Sequence, residues 1–249
     1  IVNIATRFMT LKKIAFITDI HFDENEVTAL GVDQLKNWNR ILKDIRSRGD
    51  IDEIIFGGDI GSAGSHKLFF DSLISTLLNY RFILGNHDNF REVSANFKIK
   101  SESTSELYYH LDEGGYRFIF LDTSTSAFSR EQFNWLKGKL SASHRLVIFI
   151  HHPVLHVDSV VNKLYSLGGR DELKELLHSV VNEVTVFCGH LHNEDKAAEG
   201  NITQYLTLSA AYQALKHTEE IITDINEFGY SIIEFTDKIN TETIIFKLS

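Results

Sequence analysis

The sequence predicts an α/β protein with a parallel-stranded core, on three observations. Short apolar runs alternate with helical stretches through the first ninety residues. Each run ends in a turn rich in glycine, Asp or His, and nothing in the 249 residues reads as a repeat, a low-complexity tract or a Pro/Gly/Ser linker. Three strand–turn–helix units in succession are the pattern of parallel strands crossed over by helices. With one proline in the chain, residues 9–249 read as a single domain.

Taken in order, residues 14–17 are a buried strand that runs into Thr18-Asp19-Ile20-His21. Residues 30–48 place Leu35, Trp38, Ile41, Leu42 and Ile45 at helical spacing, and Gly49-Asp50 stops them. A strand at 51–56 ends at Gly57-Gly58-Asp59, a helix covers 65–78, and a strand at 80–84 ends at Gly85-Asn86-His87-Asp88. Residues 107–111 and 116–121 flank Asp112-Glu113-Gly114-Gly115, a hairpin signal. A helix at 130–140 precedes a strand at 146–150, which ends in His151-His152-Pro153. A helix at 171–180 precedes a strand at 184–188, which ends in Gly189-His190-Leu191-His192. The β-branched segments 202–208, 230–235 and 241–248 read as antiparallel strands.

Composition excludes several classes of function. Lys and Arg number 25 against 34 Asp and Glu, a net charge of −9, which argues against tracking a long nucleic acid by bulk electrostatics. One cysteine, Cys188, rules out an intrachain disulfide and a four-cysteine zinc site. No apolar run approaches the ~20 residues that span a bilayer, and no export signal is visible. The expected location is therefore cytoplasmic. The only methionine is Met9, so residues 1–8 read as an extension upstream of the natural start.

Five short motifs fall at or just past the C-terminal end of an apolar strand, where α/β sheets gather their reacting groups. They contribute Asp19, His21, Asp59, Asn86, His151, His190 and His192, oxygen and nitrogen donors with no thiol. Such a set suits Mn, Fe or Zn. In Asp19-x-His21 the i, i+2 spacing places both side chains on one side of an extended strand end. The same spacing lets His190-x-His192 serve two nearby ions. Glycines precede Asp59, Asn86 and His190, where the backbone must crowd the site. Seven ligands exceed what one open catalytic ion takes and match two ions sharing a carboxylate. His151 follows its strand directly and is the expected ligand, with His152 as the alternative.

The ordered set D-x-H, G-D, G-N-H-D, H and G-H-x-H resembles the calcineurin-like metallophosphoesterase superfamily from Asp19 to His192. The resemblance implies a four-layer α/β/β/α sandwich of two mixed β-sheets flanked by helices. It implies two divalent or trivalent ions: Asp19, His21 and His192 on the first, Asn86, His151 and His190 on the second, and Asp59 bridging. His87 would protonate the leaving oxygen or stabilise the transition state, with Asp88 fixing its tautomer, and a metal-activated hydroxide would be the nucleophile. Leu121-Asp122-Thr123-Ser124 and the His151-His152-Pro153 doublet are similar to the bacterial branch with class III cyclic-nucleotide and glycerophosphodiester phosphodiesterases. The expected activity is thus hydrolysis of a small phosphodiester, a cyclic nucleotide foremost. The alternatives are a nucleotide-sugar or dinucleotide pyrophosphatase, a phosphomonoesterase and, third, a non-catalytic scaffold on the same fold. Relatives in that branch are often homodimers, and residues 229–249 are the candidate edge.

The remaining residues read more simply. Asp122 is expected to accept backbone N–H groups in a turn, Cys188 to be buried, and Trp38 and Trp135 to pack on helix faces. His156 is either a phosphate-pocket residue or a surface histidine. His66, His110, His144, His178 and His217 lack ligand-like neighbours.

Overall fold

Along β1 (Lys12–Ile17), Ile14 and Phe16 face one way and Ala15 and Ile17 the other, and both faces are buried. That double burial sets the layering. The computed structural model describes residues 11–140 and 143–248, so the reading of residues 1–8 and of Met9 lies outside the described residues. After β1 come α1 (Asn25–Ala29), α2 (Gln34–Arg48), β2 (Glu53–Phe56), α3 (His66–Ile74), β3 (Asn79–Phe82) and α4 (Phe90–Asn96). The second half runs β4 (Tyr109–Glu113), β5 (Tyr116–Phe120), α5 (Arg130–Lys139), β6 (Arg145–Phe149), α6 (Val160–Leu164), α7 (Arg170–His178) and β7 (Val184–Cys188). It closes with β8 (Asp195–Glu199), β9 (Ile202–Leu206), β10 (Gln213–Ala214), β11 (Thr223–Asp224), β12 (Glu227–Phe235) and β13 (Ile239–Lys247).

One sheet has the order β13-β12-β1-β2-β3, the other β4-β5-β6-β7-β9-β8. β1, β2 and β3 are parallel, as are β5, β6, β7 and β9, with antiparallel strands at the margins. Ile14, Phe16 and Ile55 meet Phe118, Phe120, Val147, Phe149 and Phe187 between the sheets. The outer face of the first sheet packs on Trp38, Ile41, Leu42 and Ile45 of α2 and Phe69, Phe70 and Leu73 of α3. The outer face of the second packs on Leu136 of α5 and Leu173 and Leu177 of α7. The result is the expected α/β/β/α sandwich of two mixed sheets. Each fully buried Leu, Ile or Phe contributes on the order of 1.5–3 kcal/mol.

Phe120, Phe149, Phe187 and Tyr205 occupy matching positions on β5, β6, β7 and β9, and each ring stacks on the next at 5.1, 5.5 and 5.4 Å between centroids. This aromatic row holds β6 and β7 in register near their ends, with Phe149 two residues before His151 and Phe187 three before His190.

Three expectations need correction. The helix expected over 30–48 begins only at Gln34, because Leu30 closes the separate helix α1 and the Asp33 side chain caps α2 by accepting the Lys36 N–H. Leu35 is consequently exposed, and Asn37 shares the buried face with Trp38. Residues 202–206 pair parallel with β7 rather than lying in a purely antiparallel tail. The antiparallel partner is β8, whose Asp-Lys-Ala-Ala-Glu sequence carries no apolar alternation. The other tail segments do form an antiparallel pair, with β13 at the sheet edge.

Candidate metal centre

All five motifs converge at the C-terminal ends of β1, β2, β3, β6 and β7, drawing on both sheets. Asp19, His21 and His192 place donor atoms within 4.8 Å of one another, and so do Asp59, His151 and His190. The sets lie side by side: Asp59 Oδ2 is 3.1 Å from His151 Nε2 and 3.6 Å from His21 Nε2. In the first set His192 Nε2 is 3.0 Å from His21 Nε2 and 3.3 Å from Asp19 Oδ1. Asn86 lines the same cavity.

The candidate donors sit where the chain bends rather than on extended strand ends. Asp19, His21, Asp59, His190 and His192 all have positive φ, between 50° and 68°. Left-handed backbone costs a non-glycine residue roughly 1–2 kcal/mol, and such residues persist where the surroundings over-determine them. Here each bend turns a side chain off the sheet axis and into the shared space. The i, i+2 pairs therefore converge by a local turn, and the extended-strand rationale for Asp19 and His21 does not hold. Close approach is also why glycines are needed. A Cβ on Gly85 would collide with the Asp59 carboxylate, and one on Gly189 with Thr18 and the Asp19 carboxylate.

Asp19, Asp59 and the candidate histidines each give one polar atom to the protein and leave the other toward the cluster. Asp19 Oδ2 accepts from the Thr18 hydroxyl and the His190 N–H, while Asp59 Oδ1 accepts from the His87 N–H. His151 Nδ1 donates to the Gly57 carbonyl at 2.8 Å, and His192 Nδ1 to that of Tyr212 at 3.2 Å. His190 Nε2 donates to the Tyr165 carbonyl at 2.9 Å. These bonds fix the ring orientations and leave Nε2 of His151 and His192 and Nδ1 of His190 as bare acceptors, as metal-binding histidines require. Asp19 Oδ1, Asn86 Oδ1 and His151 Nε2 are buried and form no hydrogen bond. An unsatisfied buried polar atom is costly, and three aimed at one place fit cations. Burial would lower the His151 pKa, yet Asp59 and Asp19 lift it to about 10, a mark of the negative charge that a cation would meet there.

His152 belongs to neither donor set. Its Nδ1 is 2.8 Å from the Thr123 hydroxyl, and its ring packs on His190 with centroids 4.0 Å apart. Burial and the neighbouring His190 and His151 hold it well below the usual histidine range. Asp122 accepts from Leu107 and Ser124 N–H groups, as a turn carboxylate should. His156 is exposed and bonds to Asn162, outside the cavity. Cys188 is buried in the core of the second sheet.

The partner expected for His87 is wrong. Asp88 faces away and accepts three backbone N–H groups, from Asp59, Ile60 and Gly85 at 2.8, 2.8 and 2.9 Å. It ties the β2 turn to the β3 turn, with both of its oxygens turned onto those amides. Glu24 takes that place: its Oε2 is 3.0 Å from His87 Nδ1 and 3.0 Å from His21 Nδ1. The only sequence signal was its position three residues after His21. The hydrogen bond to Glu24 outweighs burial and raises the His87 pKa to about 9. His87 is the exposed member of the site, with 42% of its side chain open at the cavity mouth. Asp88→Ala should strand three buried amides, each worth ~1–3 kcal/mol, and drop the thermal midpoint by several degrees in a calorimetric scan. An unchanged midpoint would contradict that role.

The fold and the site together define a metal-dependent phosphoesterase. Residues 12–194 match the family model described as calcineurin-like phosphoesterase, and the chain belongs to that family. It is similar to a "Probable cyclic nucleotide phosphodiesterase" of Fibrobacter succinogenes, 26% identical over 207 residues, 81% of this chain and 80% of the relative. It is also similar to a "Probable glycerophosphodiester phosphodiesterase GpdQ" of Arcobacter nitrofigilis, 27% identical over 189 residues, 71% of this chain and 69% of the relative. Among solved structures, a dimetal phosphatase from Danio rerio shares the fold with a TM-score of 0.68 at 13% identity, covering 97% of this chain and all of that one. No helix among the described residues is long and apolar enough to cross a membrane.

Proposed function

We propose that the site holds two divalent or trivalent ions, manganese, iron or zinc, and hydrolyses a small phosphodiester with one phosphate, a 3′,5′-cyclic nucleotide foremost. Asp19, His21 and His192 hold one ion, Asn86, His151 and His190 the other, and Asp59 lies between them. Bound there, the ions supply positive charge for the phosphate and an acidified water. His87, held at Nδ1 by Glu24, presents Nε2–H at the mouth and gives its proton to the departing ester oxygen as the P–O bond breaks.

The observation that carries the choice of substrate is the lining of the cavity, of about 370 Å³. Among the described residues it contains no Lys or Arg, and Glu26 is its only carboxylate besides Asp59. A pyrophosphate or nucleotide sugar brings a second phosphate that needs its own cationic partner, and a long phosphate chain needs several. A diester brings a single negative charge, which two ions suffice to bind. The names of the two relatives support the same reading. Protein loaded with Mn²⁺ should cleave bis(p-nitrophenyl) phosphate and cyclic AMP and should leave a nucleoside diphosphate sugar nearly intact. Loaded protein that cleaves the sugar nucleotide and spares both diesters would overturn the reading.

A further inference from the structure

Beside the donor cluster, the cavity wall carries apolar side chains: Val161, Tyr165, Tyr212, Ala214 and Ile221. Tyr165 and Ile221 are 57% and 43% exposed although large and apolar, and both line the same cavity as the donor cluster. Scattered exposed apolar residues need no explanation, but a group converging on a cleft marks a binding surface. The two tyrosines have a second property in common. The carbonyl of Tyr165 fixes His190, and the carbonyl of Tyr212 fixes His192. The Tyr212 ring also lies against His192, with centroids 4.4 Å apart. Neither backbone segment can drift without releasing a ligand histidine, so both rings are registered to the metal centre.

Resting on the phosphodiesterase reading above, we propose that this wall determines specificity by receiving a flat, apolar group of the diester, a nucleobase, while the phosphate lies over the cluster. Tyr165 supplies the stacking face and Ile221 the opposing edge. A glycerol group has no π-face and finds few polar partners on this wall, where only the phenol groups and Glu26 offer any. The cavity volume lies in the range of small-molecule sites.

The test uses the Mn²⁺-loaded full chain and its Tyr165→Ala, Tyr165→Phe and Ile221→Ala variants, with metal content measured in each. Tyr165→Ala keeps the backbone carbonyl, so metal content should hold. The kcat/KM ratio of cyclic AMP over glycerophosphoethanolamine should fall by ~10–100-fold, the loss typical of a stacked base, and Tyr165→Phe should restore it. Calorimetric affinity for 5′-AMP, which needs no turnover, should weaken by a similar factor in Tyr165→Ala and also fall in Ile221→Ala. An unchanged ratio, an unchanged 5′-AMP affinity, or no 5′-AMP binding by the wild type would overturn the proposal. A wild type that binds 5′-AMP through Tyr165 but hydrolyses no diester would leave the wall standing and refute the phosphodiesterase reading.

Discussion

Asp59→Ala should abolish turnover and lower bound metal together. The carboxylate stands between the two donor sets, 3.1 Å from His151 and 3.6 Å from His21, with its other oxygen on the His87 amide. Removing it takes a charge from both sets and loosens the turn that carries His87. Loss of a group that only orients a ligand costs ~10–100-fold in metal affinity or activity. Losing the shared carboxylate should exceed that, by more than about 10³-fold in kcat/KM. Asp59→Asn separates charge from shape: the amide oxygen can still accept the His87 N–H, but the negative charge that would offset the proposed cations is gone. Elemental analysis of both variants after Mn²⁺ incubation decides the matter. If Asp59→Asn keeps the full metal complement and activity within tenfold of wild type, Asp59 does not bridge.

The layers and the gathering of ligands were legible in the sequence because both rest on strong local signals. Buried parallel strands are continuous apolar runs, and Ile14 to Ile17 and Val184 to Cys188 stand out as such. What the sequence concealed lies where polar residues form structure. The five residues of β8 gain their strand geometry from pairing with β9 rather than from apolar alternation. The helices α1 and α6, five residues each, are too short for a periodic pattern to register.

The candidate donor set was readable because metal chemistry restricts the residue types, whereas the partners of those side chains were not. Backbone carbonyls orient three of the histidines, and a carbonyl leaves no mark on residue identity. That is why the holding roles of Gly57, Tyr165 and Tyr212 emerge only in three dimensions. The exchange of Glu24 for Asp88 has the same origin. Adjacency in the chain suggested Asp88, but the turn that aims His87 outward aims the next side chain inward, onto the amides of Asp59, Ile60 and Gly85.

That exchange makes His87 and Glu24 separable by experiment. His87→Ala should lower kcat by ~10²–10⁴-fold, the usual contribution of a positioned acid, while metal content stays near wild type because the side chain sits at the mouth. The deficit should shrink for p-nitrophenyl esters, whose leaving group departs without a proton, and remain large for cyclic AMP. Glu24→Gln acts differently, because its carboxylate holds both His21 and His87. The proton on His87 is retained through Glu24, against the pull of nearby cations. Neutralising Glu24 lowers the His87 pKa, so the protonated, active form is lost at lower pH. The alkaline limb of the pH–rate profile should therefore move to lower pH in Glu24→Gln and be absent in His87→Ala. An unmoved limb in Glu24→Gln, with metal content equal to wild type, would exclude Glu24 as the partner that sets the state of His87.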